Sequence, residues 1–375
     1  MSAARAAETG GGWIAREATP ADHADHARLF NACFRKQKDE RTFAWKYDDN
    51  PDGPAIARVA VEAPGAPTAG AAGAPGRVAG AYAYMPRRFV RDGRPNVLMQ
   101  ASDAMTDEGW RGRGIFTGLD QLVASEAGRR GVSLAFAYSG RLSLNGFLRN
   151  GWRIIGHAWM YRRHFRHRPG LLRVPRVGPA AALLAPLLDA WAARADRRRL
   201  PAEGAEELRR IERFDAGVGR LFASAAPRVG LVGVRDERWL NWRYVDTPSR
   251  RHECYGLYRG DRLRGYVVAE LAGSQAHLID HLAEDGDARL ALLAGFTAWA
   301  RRRGLDEATA LLFPHDAAVP VLGELGWRAP LRRKPFRDIF PFIVRACRSD
   351  APVDDFTMTR WHLADGDRDA EHNGP

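Results

Sequence analysis

The chain carries its own sequence pattern twice. Residues 39–47 (D-E-R-T-F-A-W-K-Y) return as 236–244 (D-E-R-W-L-N-W-R-Y), and each is followed four residues on by a proline, Pro51 or Pro248. Upstream, Arg28-Leu-Phe30 returns as Arg220-Leu-Phe222. Downstream the order is kept. Gly80 and Gly265 lie in strand-like runs, Arg129-Arg-Gly131 and Arg302-Arg-Gly304 follow helical runs, and Gly151-Trp-Arg153 and Gly326-Trp-Arg328 come near the ends. Matches that hold their order over so much chain imply two copies of one fold, each of about 150 residues. The Ala/Gly/Pro run over 63–76 reads as a hairpin loop inserted in the first copy. A length of 375 residues leaves each copy enough chain to bury its own core.

One segment of the first copy carries chemistry. Met105 to Leu119 (M-T-D-E-G-W-R-G-R-G-I-F-T-G-L) reads as a strand end, a basic glycine-rich turn and a helix start. Val97, Leu98 and Met99 precede it in β-type order, and Ile115, Leu119, Leu122 and Val123 recur at helical spacing after it. Gly112 and Gly114 let backbone approach a ligand without a Cβ in the way. A helix start presents unpaired N–H groups and positive dipole potential, and Arg111 and Arg113 add full charges. Such a turn favours a phosphate or pyrophosphate. It is not a Walker loop, because no lysine follows the glycines, and it is not a Rossmann fingerprint, because it lies about a hundred residues in with arginines between the glycines.

The turn resembles the acyl-CoA pyrophosphate loop of the GNAT superfamily of N-acyltransferases, with pattern [RQ]-x-x-G-x-[GA]. Arg111, Gly114 and Phe116 occupy the patterned positions, and Phe116 departs from the usual small residue. The resemblance extends in consistent order over residues 13–165. It takes in an opening strand and helix over 14–34, strands over 77–84 and 96–106, a helix over 115–130, a buried strand over 131–138, and a closing helix with its Gly-aromatic end over 143–152. It implies an α/β protein of two tandem GNAT-like domains, each a mixed, mostly antiparallel twisted sheet flanked by helices. The expected organisation is a disordered N-terminus over 1–12, an acyl-CoA-binding domain over 13–165, and a linker with a helix over 166–203. A second domain over 204–350 and a C-terminal tail over 351–375 complete it.

The resemblance also implies site residues. Met105 and Thr106 end the strand that pairs with the pantetheine arm, and Arg111, Gly112, Arg113, Gly114, Ile115, Phe116 and Thr117 form the pyrophosphate cradle. Asn145 either hydrogen-bonds the pantetheine arm or caps its own helix. Direct attack of an amine on a thioester needs a proton acceptor, and the leaving thiolate benefits from an acid or positive dipole. Asp103, eight residues before Arg111, is the first candidate base. Strand alternation puts it on one face with Met105, and Ser102 with Ala104 on the other. A carboxylate in an apolar strand is either such a base or a structural group tied to a neighbouring turn. Glu108 is a second candidate in a loop. Many family members carry a tyrosine four residues before the closing glycine, but that position holds Phe147. Tyr138, at the end of the preceding strand, is the nearest replacement acid.

In the second copy, Glu284, Asp285 and Asp287 stand where the first copy has its basic turn, and such charge repels a pyrophosphate. The donor site therefore belongs to the first copy. Trp45, Tyr47, Trp242 and Tyr244 recur in both copies and read as packing. The three cysteines (Cys33, Cys254, Cys347) are odd in number and scattered, so neither a disulfide framework nor a metal site is implied. No secretory h-region opens the chain and no apolar stretch is long enough to span a bilayer, so a cytoplasmic protein is expected. The net charge of +12 rests on arginine, since only Lys36, Lys38, Lys46 and Lys334 are lysine, and no nucleic-acid motif accompanies it. The helix over 180–199, with an apolar body and the basic end Arg197-Arg-Arg199, adds weak peripheral contact with anionic lipid as a further reading.

The expected activity is an acyl-CoA-dependent N-acyltransferase. Acetyl-CoA is the default donor and a small primary amine, such as an amino sugar, the acceptor, with no metal. The competing readings are an aminoacyl-tRNA-dependent transferase of tandem GNAT-like halves, and a non-catalytic protein of the same fold that binds CoA or a glycan.

Overall fold

The computed structural model describes residues 7–9, 12–64, 77–167, 172, 180–199, 206–226, 230–248 and 251–369. Most of the 63–76 run, linker residues such as Pro175 and Pro179, and the last residues of the expected tail lie outside them. The first half runs β1 (Ala7–Thr9), β2 (Trp13–Glu17), α1 (His23–Phe34), α2 (Glu40–Tyr47), β3 (Ile56–Glu62), β4 (Val78–Arg91), β5 (Arg94–Thr106), α3 (Ile115–Arg129), β6 (Leu134–Tyr138), α4 (Leu144–Arg149) and β7 (Arg153–His164). Then come α5 (Ala181–Arg199), β8 (Glu206–Ile211), α6 (Ala216–Ala225), β9 (Leu231–Gly233), α7 (Glu237–Leu240), β10 (His252–Arg259), β11 (Arg262–Ala272) and β12 (Gln275–Ala283). The last elements are α8 (Gly286–Arg302), β13 (Glu307–Leu312), α9 (Ala318–Glu324), β14 (Ile339–Ala346) and β15 (Trp361–His362). The chain forms two compact units.

The first unit takes Met1–Gly156, Asp246–Arg250 and Pro341–Arg360. Its strands run in the order β1-β2-β3-β4-β5-β6-β14, antiparallel throughout except for the parallel pair β5–β6. One face packs α3 and α4 through Trp13, Met99, Ile115, Leu119, Val123, Phe147 and Trp152. The other packs α1 and α2 through Leu29, Phe30, Phe43, Tyr47, Val59 and Met105. Helices on both faces explain why β4 is buried from Val78 to Arg87 rather than alternating with solvent.

The second unit takes His157–Val245, Arg251–Phe340 and Trp361–Pro375. Its strands run β7-β13-β12-β11-β10-β8, with β12–β13 the parallel pair, and β9 pairs β15 in parallel. The duplicated topology agrees with the repeat. The recurring aspartates, Asp39 and Asp236, are both helix N-caps, accepting from Thr42 N and Trp239 N.

Three expected boundaries differ from this arrangement. The closing strand of each copy is lodged in the other unit: β14 pairs β6 from Phe342–Tyr138 to Ala346–Leu134, and β7 pairs β13 from Trp159–Leu312 to His164–Glu307. Breaks at 165 and 350 therefore do not coincide with the units. The terminus expected to be disordered over 1–12 contributes β1, which hydrogen-bonds the otherwise open edge of β2. The expected tail over 351–375 contributes packed structure, because Trp361 is fully buried and Asp367 takes the Arg235 guanidinium in the second unit.

Candidate functional site

The site lies in the first unit, where β5 hands over to α3. Parallel pairing of β5 with β6 covers only Met99–Ala135 and Gln100–Phe136. Beyond it, Ala101 to Thr106 have no β6 partner, so the strands part toward the end of β5. A short helical turn, Glu108–Trp110, then leads to the glycine-rich turn.

Gly112 and Gly114 have φ of +79° and +76°, and an ideal Cβ at either meets nothing within 4 Å. Their role is therefore conformational, with space left above the turn. Gly114 is the N-cap of α3 and supplies no side chain to cap it. The backbone amides from Gly112 to Thr117 donate to no protein acceptor among the described residues. Arg111 is exposed, and the Arg113 guanidinium lies 4.5 Å from the centroid of the Trp110 ring. Six unpaired amides, a helix dipole and two cations make an anion cradle.

Three close contacts lock the cradle in place. The Trp13 indole donates to the Arg113 carbonyl at 2.9 Å, and its ring fills the space a Cβ on Gly118 would need. Ile115 packs into the notch left by Gly80. The Phe116 ring lies against Gly146 and meets Phe147 and Tyr82 edge-on at 5.1 and 5.7 Å. Its bulk is thus directed into the core, and the departure from the small-residue pattern leaves its amide open. Deeper in α3, the buried Asp120 accepts from Asn150 at 2.9 Å and from the Trp152 indole, and pairs with Arg345 of β14. Burial raises the Asp120 carboxyl and Arg345 opposes it, with a net rise. This knot ties the helix to the strand that closes the sheet.

Asp103 occupies a β-bulge with φ of +50°, where pairing with β4 shifts between Ala81 and Ala83. Aspartate tolerates this left-handed conformation better than most residues. Asp103 and Met105 share the α1–α2 face as alternation predicts, but the bulge turns Ser102 to that face too and leaves Ala104 on the other. The Asp103 carboxylate is buried and receives Lys46 Nζ at 2.7 Å, Tyr47 OH at 2.6 Å and Ser102 Oγ at 3.0 Å. Burial pushes its carboxyl up, but the Lys46 charge and these hydrogen bonds outweigh it and hold the group below the usual carboxylate range. This is the structural alternative for Asp103: a saturated, weakly basic counter-ion.

The second unit repeats the device. Asp280 stands at the matching bulge of β12 and accepts from Tyr244 OH at 2.8 Å, with Arg235 Nε at 3.4 Å. The recurring tyrosines, read from sequence as packing, are donors that pin a helix to the bulge. Lys46 and Tyr47 went unrecognised as partners of Asp103. The signal was present, since Tyr47 and Tyr244 recur together with Asp103 and Asp280.

The remaining candidates are near the cradle or apart from it. Tyr138 ends β6 at the parting of the strands, half-buried, with its ring 5.1 Å from that of Phe342. Asn145 is exposed on the first turn of α4, beside the Gly146 that supports Phe116. The N-cap of that helix is Ser143, so Asn145 does not cap it. Met105 is buried against α1–α2, so only its backbone faces the parted edge; Thr106 O accepts from Cys33 Sγ at 3.5 Å. Ile115 is buried and Thr117 exposed, so Ile115 offers its amide alone. Glu108 projects into solvent. No group of metal-ligating side chains occurs among the described residues.

At the equivalent place in the second unit, the start of α8 is closed by the protein itself. Asp285 caps the helix by accepting from Ala288 N at 2.8 Å. Arg264 binds Glu206, Glu284 and Asp285, and Arg262 also pairs with Glu284. Glu284 and Asp285 are held in this latch, at the place where the first unit has its open turn.

No family model matches the chain, and no curated protein matches it in sequence. Solved structures match it in fold. A GCN5-related N-acetyltransferase from Anabaena variabilis superposes with TM-score 0.61 at 13% identity, covering 90% of this chain and 73% of that one. A GCN5-related N-acetyltransferase from Kribbella flavida gives TM-score 0.58 at 14% identity, over 89% and 71%. The N-myristoyltransferase of Saccharomyces cerevisiae, solved with bound myristoyl-CoA, gives TM-score 0.58 at 11% identity, over 91% and 80%. With parted parallel strands, a bulge and a helix-start turn in the first unit, and the same topology again in the second, this chain has the GNAT fold.

Proposed function

We propose that the protein is an acyl-CoA-dependent N-acyltransferase whose donor binds in the first unit. One observation carries the reading: of the two equivalent helix starts, α3 is left open, with unpaired amides and an exposed arginine, whereas α8 is capped and latched by its own carboxylates. An open cradle at the parted strands, on a fold shared with a protein that binds myristoyl-CoA, fits an acyl-CoA pyrophosphate.

In this reading Arg111, Arg113 and the amides of Gly112 to Thr117 hold the pyrophosphate, and the free edge of Ala101 to Thr106 pairs with the pantetheine arm. Asn145 assists from α4. The donor supplies an activated thioester carbonyl. Lodging it against the parted edge aligns that carbonyl with an incoming amine, and alignment alone removes much of the barrier. The amine attacks in its neutral form, the C–N bond forms as the C–S bond breaks, and the amine proton leaves to solvent. Tyr138, at the mouth of the parting, is assigned as the acid that protonates the departing thiolate. Asp103 is assigned a positioning role, because a carboxylate held ionised by Lys46 and Tyr47 accepts a proton poorly. The acceptor class is a small primary amine, with amino sugars the first set to try, and acetyl-CoA is the first donor.

The test is thermal shift with acetyl-CoA and myristoyl-CoA, on the unaltered protein and on Arg111→Ala. A donor that binds raises the melting temperature by mass action, by about 2.7 kcal/mol of stability at a hundredfold excess over Kd. Arg111→Ala should weaken that gain. A free-thiol assay over an amine panel then reads transfer, and Tyr138→Phe should lower kcat. An unmoved melting temperature with both donors overturns the donor site. Donor binding with no thiol release for any amine reassigns the chain as a CoA-binding protein.

A further inference from the structure

Helix α5, in the second unit, presents the wrong residues to water. Among its described residues, Leu183, Leu187 and Trp191 are 77%, 69% and 69% exposed, and Leu184 and Leu188 are also exposed. At about 100° per residue, positions 183, 187 and 191 form one line and 184 and 188 flank it, so the five make a single apolar stripe. The side turned to the protein is small and polar. Ala185 and Ala192 are buried, and Asp189 accepts from the His167 backbone N–H at 2.8 Å, with His167 Nδ1 2.7 Å away. The helix is thus held by its alanines and an aspartate, with its leucines and tryptophan displayed.

An ordinary amphipathic helix does the reverse. A stripe of large apolar side chains in water marks a surface awaiting a partner. Charge selects among partners. Exposed Arg194 follows the stripe, and the helix ends in the sequence Arg197-Arg-Arg199 on a chain of net charge +12. A second copy carries the same positive net charge, whereas an anionic surface complements exposed Arg194 and the basic sequence after it. Tryptophan and leucine beside arginine suit the boundary between lipid headgroups and acyl chains. The helix does not span: no helix among the described residues is long and apolar enough to cross a membrane, and Pro186 and Asp189 interrupt this one.

We propose that α5 is a peripheral membrane-binding helix that lies in the headgroup region of an anionic lipid surface. The leucine–tryptophan stripe enters the acyl boundary and the arginine end meets the headgroup charge. This site is independent of the acyl-transfer reading, and its test uses no donor or acceptor.

The experiment is vesicle co-sedimentation of the full chain at low and high salt. Vesicles are phosphatidylcholine alone or phosphatidylcholine with phosphatidylglycerol, and the variants are Leu187→Gln/Trp191→Gln and Arg194→Gln. Binding to the anionic vesicles is expected, weakened by salt. Removing two large apolar anchors should lower the partition coefficient by roughly a hundredfold, and removing the arginine by roughly fivefold. Both changes fall on exposed side chains, so melting temperatures should stay near that of the unaltered protein. Failure to bind anionic vesicles at low salt overturns the proposal. So does binding that the double variant leaves intact, which would place the contact on general basic charge. Self-association in sedimentation velocity, lost in the double variant without vesicle binding, would assign the stripe to a second copy instead.

Discussion

Deleting the Asp103 carboxylate tests whether this group is a structural counter-ion. The Asp103 and Lys46 side chains are 3% and 5% exposed, with Nζ 2.7 Å from Oδ2. Asp103→Ala removes the buried carboxylate that Lys46 Nζ and Tyr47 OH donate to. Breaking a buried pair on one side costs about 3–5 kcal/mol, a large part of the 5–15 kcal/mol available to a typical domain. Tyr47→Phe removes one hydrogen bond to a charged acceptor, at about 1.5–3 kcal/mol. In Lys46→Met/Asp103→Asn both charges are gone, asparagine tolerates the positive φ, and its carbonyl still accepts from Tyr47. That double variant should recover most of the loss. Urea unfolding monitored by circular dichroism, with slopes compared to confirm a shared unfolded state, reads all of these. The folded carboxyl lies below its ordinary value, so its ionised form contributes stability above about pH 3.9 that is lost as pH falls through the depressed value. The gap between the unaltered protein and Asp103→Asn should therefore narrow in acid. A cost under about 1 kcal/mol for Asp103→Ala, or a double variant no better than Asp103→Ala, would refute the buried-pair account.

Three further outcomes follow from the same geometry. Gly118→Ala places a Cβ 2.7 Å from the Trp13 ring and should cost about 1–3 kcal/mol by overpacking, measured by urea midpoint, with partial recovery when Trp13→Phe is added. Asp22 is held at about 2: burial raises it, but Arg16 and the Thr19 hydrogen bonds outweigh that. Its contribution is present above about pH 3.9 and is lost toward pH 2, so Arg16→Met should raise the acid-unfolding midpoint. Because Arg16 is about a third exposed, the effect is about 1 kcal/mol rather than the full shift. A fragment ending at residue 165 lacks β14, leaving β6 unpaired on one edge and Asp120 without Arg345. It should show no cooperative thermal transition by calorimetry, and a sharp one would contradict the strand exchange.

Much of this organisation was legible in the residues. The repeat announced two copies, and the Asp39 and Asp236 caps lie where its matched segments begin. Glycines 112 and 114 marked the turn because positive φ is cheap only for glycine, and their φ angles are indeed positive. Of the acidic residues that stand in place of the basic turn in the second copy, Asp285 caps its helix and Glu284 and Asp285 hold Arg264. These features depend on local chemistry: which residue tolerates a conformation, caps a helix or carries a charge.

Other features depended on which distant segments meet. Sequence left Asp103 open between base and structural group, and the bulge brought Lys46 and Tyr47 to it across 57 and 56 residues. Phe116 departed from the small-residue pattern, and the distant Gly146 gives its ring a place to go. The closing strands looked like the ends of their own copies, yet each completes the other unit's sheet. Strand pairing is made from backbone groups that every residue carries, so alternation of side chains says that a strand exists without naming its neighbour. The sequence by itself therefore determined the fold class, the duplication and the chemistry of the α3 turn. Only the tertiary structure decided which side chains meet Asp103, where the Phe116 ring packs and which strand closes which sheet, because each is a contact between residues far apart in the chain.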